Sequence, residues 1–373
     1  MAILMAVGDV APDRDDPTEC FSLAAPVLRS ADVAFCQLEC NLTTRGHRMP
    51  QARHTHRGSP ATARAMKAAG FDVVSFAGNH CMDWGVEGLE DTVSHLESAG
   101  LTVVGVGHDI EVARRARVVE ANGVSIAFLA CSSILPAGYW ATVERAGCVP
   151  MRAHTLYEQI ELDQPGTPAR VHTWAHAGDL ERLCRDIRTA AATADVVALS
   201  VHWGIHFVPG LLADYQREVA YAAIDAGADL ILGHHAHILK GVEIYRGKPI
   251  LYSFGNFAMD LRMTPQHAAS PGFKEVQALS PEWEPNFGTL YNFPPDSRKT
   301  VMLRAALNRD GVESLELMPA WINDDAQPEP LSREDSRYAE VVDYLRWCCE
   351  DQDLPTRFVE GEYGIAIKAG PGS

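Results

Sequence analysis

Five times along this chain a short apolar run gives way to a cluster of glycine, amide, carboxylate or imidazole residues. No other feature constrains the fold as much. Ile3–Val7 runs into Gly8-Asp9, Val33–Leu38 into Glu39-Cys40-Asn41, and Val73–Phe76 into Gly78-Asn79-His80-Cys81-Met82-Asp83-Trp84-Gly85. Val196–Val201 leads to His202-Trp203-Gly204-Ile205-His206, and Leu230–Leu232 to Gly233-His234-His235-Ala236-His237. The runs have the length and β-branched content of buried strands, as do Thr102–Val106, Val124–Leu129 and Ile250–Tyr252. Helical patterns lie between them over Pro60–Ala69, Val86–Ala99 and Tyr215–Ala226. Each of these is followed by a glycine (Gly70, Gly100, Gly227) suited to a left-handed cap. The alternation predicts a layered α/β protein, and in open α/β sheets the strand ends are where ligand sites are built.

Composition narrows the partners. The chain has 373 residues and 47% hydrophobic content, enough for a large buried core. Its 32 Lys and Arg against 49 Asp and Glu give a formal charge of −17, which repels phosphate backbones and anionic membranes. Nucleic-acid and membrane binding are therefore excluded as first readings. The opening Met1–Asp16 lacks the basic start and apolar stretch of a secretory leader, and no window approaches the ~18 apolar residues of a membrane span. The nine cysteines include the adjacent pair Cys348-Cys349, and Cys36 and Cys40 have no second pair at zinc-ribbon spacing. Reduced, buried thiols in a cytoplasmic protein are the expectation.

Between Leu261 and Lys299 the texture changes: six prolines are interleaved with Trp283, Phe287, Tyr291 and Phe293. A segment this long inside a compact domain is expected to be a lid or binding loop. Beyond it, Thr300–Leu307 and Glu313–Met318 read as a hairpin around Asn308-Arg309-Asp310-Gly311, and Ser332–Cys349 as a late amphipathic helix.

The strand-end motifs hold the chemistry. Strand alternation would place Gln37, Glu39 and Asn41 on one face. Six of the 15 histidines (His80, His202, His206, His234, His235 and His237) fall in three of these motifs. Together with Asp9, Glu39 and Asn79 they form a mixed oxygen and nitrogen ligand set, suited to a divalent ion such as Mn, Fe, Zn, Mg or Ca. His80 and Asp83, three residues apart, can meet in a helical turn, and a carboxylate-oriented histidine moves protons near neutral pH. Trp84 and Trp203 would be substrate walls or core packing, and Cys81 an inert buried thiol. Lys240 and Arg246 read as surface charges.

In this order, Asp9, Gln37-Leu38-Glu39, Gly78-Asn79-His80 through Gly85, His202-Trp203-Gly204, Gly233–His237 and Tyr252-Ser253-Phe254-Gly255-Asn256-Phe257 resemble the motifs of the capsule-biosynthesis (CapA-like, poly-γ-glutamate) family. That family is similar in turn to the calcineurin-like metallophosphoesterases. The resemblance covers residues 3–260. It implies two packed mixed β-sheets flanked by helices, a four-layer sandwich, with a metal site at the strand ends. Residues 1–260 would be the core, 261–299 the lid, and 300–373 a hairpin and helix completing the same domain. Carried over by position, Asp9, Glu39, Asn79, His202 and His235 (or His237) would be metal ligands. His80 would protonate a leaving group, with Asp83, His237 and His206 as further acid–base residues. Arg57, His56, His234 and Trp84 are the substrate-binding candidates, and His54 is an extra imidazole.

The departures from the family pattern are informative. Asp9 is followed by Val10-Ala11 where a metallophosphoesterase has Asp-x-His, and Glu39 stands in place of an aspartate. Cys81 follows His80 in place of an acid, and His206 occupies a glutamate position. One metal per chain is therefore expected. A hydrolase of an ester, amide or phosphoester is the first functional expectation, acting on a small molecule or peptide. An epimerase at a peptide C-terminal residue, as in the lasso-peptide epimerase that resembles this family, is the second. A non-catalytic polyglutamate-handling protein is the third.

Overall fold

The computed structural model describes residues 1–52 and 55–370, so His54 lies outside the described residues. Two mixed β-sheets organise them. In the first, the strand order is Thr356–Glu360, Ile365–Ala369, Gly311–Ile322, Lys299–Asn308, Ala2–Ala11, Val33–Leu38, Val73–Ser75 and Thr102–Val104. Asn256–Met259 also pairs with Ala2–Ala11, and Pro328–Pro330 with Gly311–Ile322. In the second the order is Val242–Tyr245, Lys248–Leu251, Leu230–His234, Val196–His202, Val124–Ser132 and Arg117–Ala121.

The sheets face each other. The Phe35 and Phe128 rings, one from each sheet, stack at 5.8 Å and 3°. One apolar core runs through both sheets, from Ala2 near the start to Ile367 near the end. The central strands pair in parallel and are buried on both faces. That explains their near-continuous apolar sequences. Helices Ala61–Ala69, Gly85–Ser98, Ala177–Ala191 and Asp214–Asp225 cover the outside. Gly70 and Gly227 follow two of these helices at φ 117° and 116°, a conformation that costs glycine nothing. Among the described residues no helix is long and apolar enough to cross a membrane.

The region 261–299 folds back over the strand ends. Its two ends are joined by Leu261 N–H to Leu290 O at 2.8 Å and Asn292 N–H to Leu261 O at 3.2 Å. Between them lie short helices Pro265–Ala268 and Pro271–Gln277, capped by the Thr264 and Ser270 hydroxyls. Met263, Phe273 and Trp283 from this region bury themselves with Phe207 in a separate apolar cluster.

Two expectations need correction, and one strand pair is additional to them. The strand carrying Gln37 ends at Leu38, so alternation does not continue to Glu39 and Asn41. Gln37 Nε2 donates to Ala77 O and Asn41 Nδ2 to Cys81 O, which ties both amides to backbone. Lys240 is not a surface charge: it is 2% exposed, and its Nζ donates to Leu211 O at 2.9 Å. Arg246 is exposed and pairs with Asp225. A strand pair absent from the sequence reading, Ala153–Glu158 with Arg170–Ala175, projects with Leu156, Tyr157, Val171 and Trp174 exposed.

Candidate metal and acid–base site

The first sheet brings Asp9, Glu39, Asn79 and Asn256 to its strand ends, and the second brings His202 and the His234–His237 turn. Asp9 reaches the site because its strand lies hard against Phe254-Gly255. A Cβ on Gly8 would lie 2.0 Å from Gly255 O, and Asp9 N–H donates to that same carbonyl. The His234–His237 turn carries two non-glycine residues at positive φ, His235 at 87° and His237 at 56°. Backbone strain of that kind persists where surrounding contacts enforce it, commonly at functional sites. Here Asp9 Oδ2 accepts from His235 N–H at 3.1 Å, and Asp9 Oδ1 lies 2.9 Å from His234 Nδ1.

Two sets of ligand-type side chains result, and both contain Glu39. Glu39, His202 and His235 form one; Asp9, Glu39 and His237 form the other. In the first set His202 Nε2 lies 3.0 Å from Glu39 Oε1 and 2.6 Å from Asn79 Oδ1. In the second, His237 Nδ1 lies 3.7 Å from Glu39 Oε2 and 4.0 Å from Asp9 Oδ2.

The sets differ in what remains unpaired. Among the described residues the buried Nδ1 atoms of His202 and His235 have no hydrogen-bond partner, and Glu39 Oε1 has only the ion-pair contact with His202 Nε2, without hydrogen-bond geometry. Such orphan atoms are costly unless something binds them. In the second set Asp9 already accepts two bonds, and His237 Nδ1 is 2.8 Å from Asn256 Oδ1. The first set therefore fits a divalent ion better than the second.

The electrostatics agree. Burial, then the charge of Asp9, push Glu39 up to about 7 against the lowering pull of the neighbouring imidazoles. Burial also works against a charge on Asp9, but the hydrogen bond and charge of His234 outweigh it and hold Asp9 low. Burial drives His202 down to about 4 and His235 well below its ordinary value, reinforced at His235 by neighbouring imidazoles. Neutral imidazoles are the form that ligates a metal.

His80 behaves in the opposite way. Its Nδ1 lies 2.6 Å from Asp83 Oδ2, and Asp83 Oδ1 accepts from Tyr139 OH at 2.9 Å. Burial opposes a charge on His80, but the charge and hydrogen bond of Asp83 outweigh it and raise its pKa. An imidazole whose charged form is favoured by Asp83 thus stands next to neutral, ligand-type ones.

Above these groups opens a cavity of about 820 Å³, lined by Glu39, Asn79, His80, Asp83, His235 and His237 at its polar end. His56 and His206 also line it, and the His206 ring sits 5.4 Å from that of His235. Burial and the charge of His80 lower His56 to about 4. Three other substrate-binding candidates do not reach the wall. Arg57 donates to the backbone carbonyls of Thr43 and Arg45 and lies over the Trp84 ring at 4.1 Å. His234 is wholly buried behind Asp9, and Trp84, under Arg57, donates its Nε1–H to His56 O at 3.4 Å; Trp203, the other candidate wall, is core, its Nε1 donating to Tyr252 O. Cys81 is buried, as expected.

Sequence reasoning missed Tyr139, Phe207 and Tyr291. Phe207 stacks on His237 at 5.4 Å, and Tyr291 OH accepts from Asn256 Nδ2 at 2.8 Å. Tyr139 and Phe207 come from irregular segments with no local pattern to mark them, whereas Tyr291 lies in the Pro- and aromatic-rich segment expected to be a lid, without an assigned partner. Asn256 stood in a recognised motif without an assigned role.

A layered α/β protein with a candidate divalent-metal site at the ends of two packed mixed sheets is the class that fold and site define. The chain belongs to the bacterial capsule synthesis family: residues 3–261 match the family described as "Bacterial capsule synthesis protein PGA_cap". It is similar to the PGA biosynthesis protein CapA of Bacillus subtilis, at 29% identity over 64% of this chain and 56% of that protein. The capsule biosynthesis protein CapA of Bacillus anthracis is 33% identical over 53% of this chain and 43% of that protein. A probable polyglutamine synthesis accessory protein of Mycobacterium tuberculosis is 30% identical, over 64% of this chain and 58% of that protein. The chain thus spans about half the length of the curated relatives it matches. Among solved structures, the calcineurin-like phosphoesterase YfkN of Bacillus subtilis aligns with TM-score 0.42 and 12% identity, over 94% of this chain and 97% of that one. At that score the likeness says nothing about chemistry.

Proposed function

We propose that the protein is a metal-dependent hydrolase of an ester, amide or phosphoester. The observation that carries this reading is the buried set of Glu39, His202 and His235, with orphan ligand atoms, beside the proton-holding His80–Asp83 pair. Glu39, Asn79, His202 and His235 would hold one divalent ion. Such an ion supplies a Lewis acid and acidifies water toward neutrality.

The chain's own residues do the rest. Asp83 fixes the His80 ring and favours its charged form, so that His80 protonates the departing oxygen or nitrogen. Tyr139 holds the other Asp83 oxygen, which keeps that carboxylate in place. His234 holds Asp9, and Asp9 in turn fixes the backbone of His235. Apolar side chains wall the cavity beside this pair.

A second reading has its own support. His80 beside Asp83, and His237 near Asp9, are two imidazole–carboxylate arrangements with both imidazoles on one cavity. An epimerase needs two proton carriers, one on each side of a carbon. One experiment separates the readings: incubation with ester, amide, phosphoester and peptide panels in isotopically labelled water. Hydrolysis gives two products and solvent oxygen in one of them, whereas epimerisation gives unchanged mass in ordinary water and deuterium at carbon in heavy water. The relatives' names, capsule or polyglutamine synthesis, support a place near such polymers, including non-catalytic handling of polyglutamate. No turnover in any panel by the metal-supplied protein would favour that last role.

A further inference from the structure

We propose that the upper half of the cavity is a subsite for an apolar acyl or aromatic group on the substrate. The site would then take a neutral apolar ester or amide and reject a polyanionic chain. For the identity of the bond attacked, this rests on the hydrolase reading above.

The region after Leu261 contributes Met263, Phe273, Val276, Leu279, Trp283 and Phe293 to one side, and Ile134, Leu135 and Pro136 face the cavity too. The aromatic wall is assembled in the protein as it stands. Trp283 lies 4.8 Å from Phe273 and 5.4 Å from Phe207, and is parallel to Phe293 within 8°. Phe207 then stacks on His237, so the apolar surface runs unbroken to the polar floor. A group lying on the wall would present its attached carbonyl to the end where His80 and His237 stand. The volume of about 820 Å³ is in the range of small-molecule sites.

Charge supplies the second half of the argument. Among the described residues, no Lys or Arg lines this cavity, whereas Glu39 and Asp83 do. Away from His80 and the proposed metal at the polar floor, a ligand with several carboxylates would meet no cationic side chain on these walls, in an acidic protein of formal charge −17. An apolar group meets no such penalty, and each methylene it buries favours binding by about fourfold.

The test uses the full chain and separates binding from turnover. Binding of acetamide, octanamide and phenylpropanamide is followed by calorimetry, with tri-γ-glutamate as competitor. Turnover of the para-nitrophenyl esters of acetate and octanoate is measured on protein supplied with divalent metal. We expect octanamide and phenylpropanamide to bind at least tenfold more tightly than acetamide, and tri-γ-glutamate not to compete. Leu279, 43% exposed, has no assigned role in the chemistry, and Leu279→Glu should weaken octanamide at least fivefold. Val276→Glu is the second variant should the first not fold. Equal binding of all three amides, effective competition by tri-γ-glutamate, or indifference to both substitutions would overturn the subsite. Chain-length-dependent binding without ester turnover would keep the subsite and sink the hydrolase reading. Turnover without chain-length preference would do the reverse.

Discussion

The His237 ring is aimed by Asn256. His237 Nδ1 lies 2.8 Å from Asn256 Oδ1, Asn256 Nδ2 donates to Tyr291 OH, and Tyr291 OH donates to Ser297 O at 2.6 Å. A backbone carbonyl only accepts, so the chain of donors runs outward from the histidine. His237 Nδ1 therefore carries a proton. Tyr291 belongs to the region that covers the cavity, so this chain links the wall to the floor. Tyr291→Phe leaves the buried Asn256 amide without its acceptor, and we expect it to lower unfolding free energy by about 1–3 kcal/mol. It should also shift the His237 tautomer in nitrogen NMR spectra. An unchanged tautomer and denaturation midpoint would show that the chain does not orient the ring.

The His80–Asp83 pair makes a sharper prediction about catalysis. Asp83→Asn removes the charge that keeps a proton on His80, while the first ligand set stays intact. Once a substrate is found, turnover should fall by roughly 10²–10⁴, the usual worth of a positioned acid. His80→Ala should abolish turnover, and bound metal should be nearly unchanged in both variants. Loss of metal on His80→Ala would make His80 a ligand.

The thiols set the alkaline limit of stability. All nine cysteines are free and buried. Burial pushes Cys349 up to about 11 and Cys20 and Cys348 up to about 12, from an ordinary 9.0. Cys36, Cys40, Cys131, Cys148 and Cys184 are also raised, in each case first by burial. A thiol whose folded pKa lies above its unfolded value stabilises the fold below the unfolded value. That contribution is lost as pH rises through the interval between the two, at about 1.4 kcal/mol per unit for each such group. Unfolding free energy should therefore drop steeply from about pH 9 upward, and native protein should resist thiol reagents. A flat profile between pH 8 and 10 would contradict this.

Packing between the sheets is testable at one contact. Phe35 and Phe128 stack across the interface with 0% and 1% exposure. Phe128→Ala lies on the interface away from the site's ligands and should cost about 3–5 kcal/mol. A loss below ~1 kcal/mol would mean that the sheets do not depend on this contact.

Much of this arrangement is legible in the sequence, for a physical reason. A parallel strand buried on both faces must be apolar throughout, so Val196–His202 and Leu230–His234 announce themselves, and polar residues can begin only where such strands end. The same reasoning fails at Ala153–Glu158 and Arg170–Ala175, whose ribbon is exposed and so carries no core-facing period. Helix Ala177–Ala191 was passed over although Leu183, Cys184, Ile187 and Ala190 bury one face of it. Lys240 misled because a lysine reads as solvated, and only the tertiary fold supplies the Val208 and Leu211 carbonyls that hold it. Tyr139 is beyond local reading altogether, because its partner Asp83 lies 56 positions away.

We propose that one divalent metal ion is held by Glu39, Asn79, His202 and His235. The most direct test is the metal-to-protein ratio of the full chain, purified without chelator and supplied with Mn, Fe or Zn, measured by elemental analysis. We predict about one equivalent, lost in Glu39→Gln and His235→Ala and retained in His80→Ala. Absence of bound metal under every supply, or full occupancy in Glu39→Gln and His235→Ala, would contradict the claim. Two equivalents would show that Asp9 and His237 complete a second site.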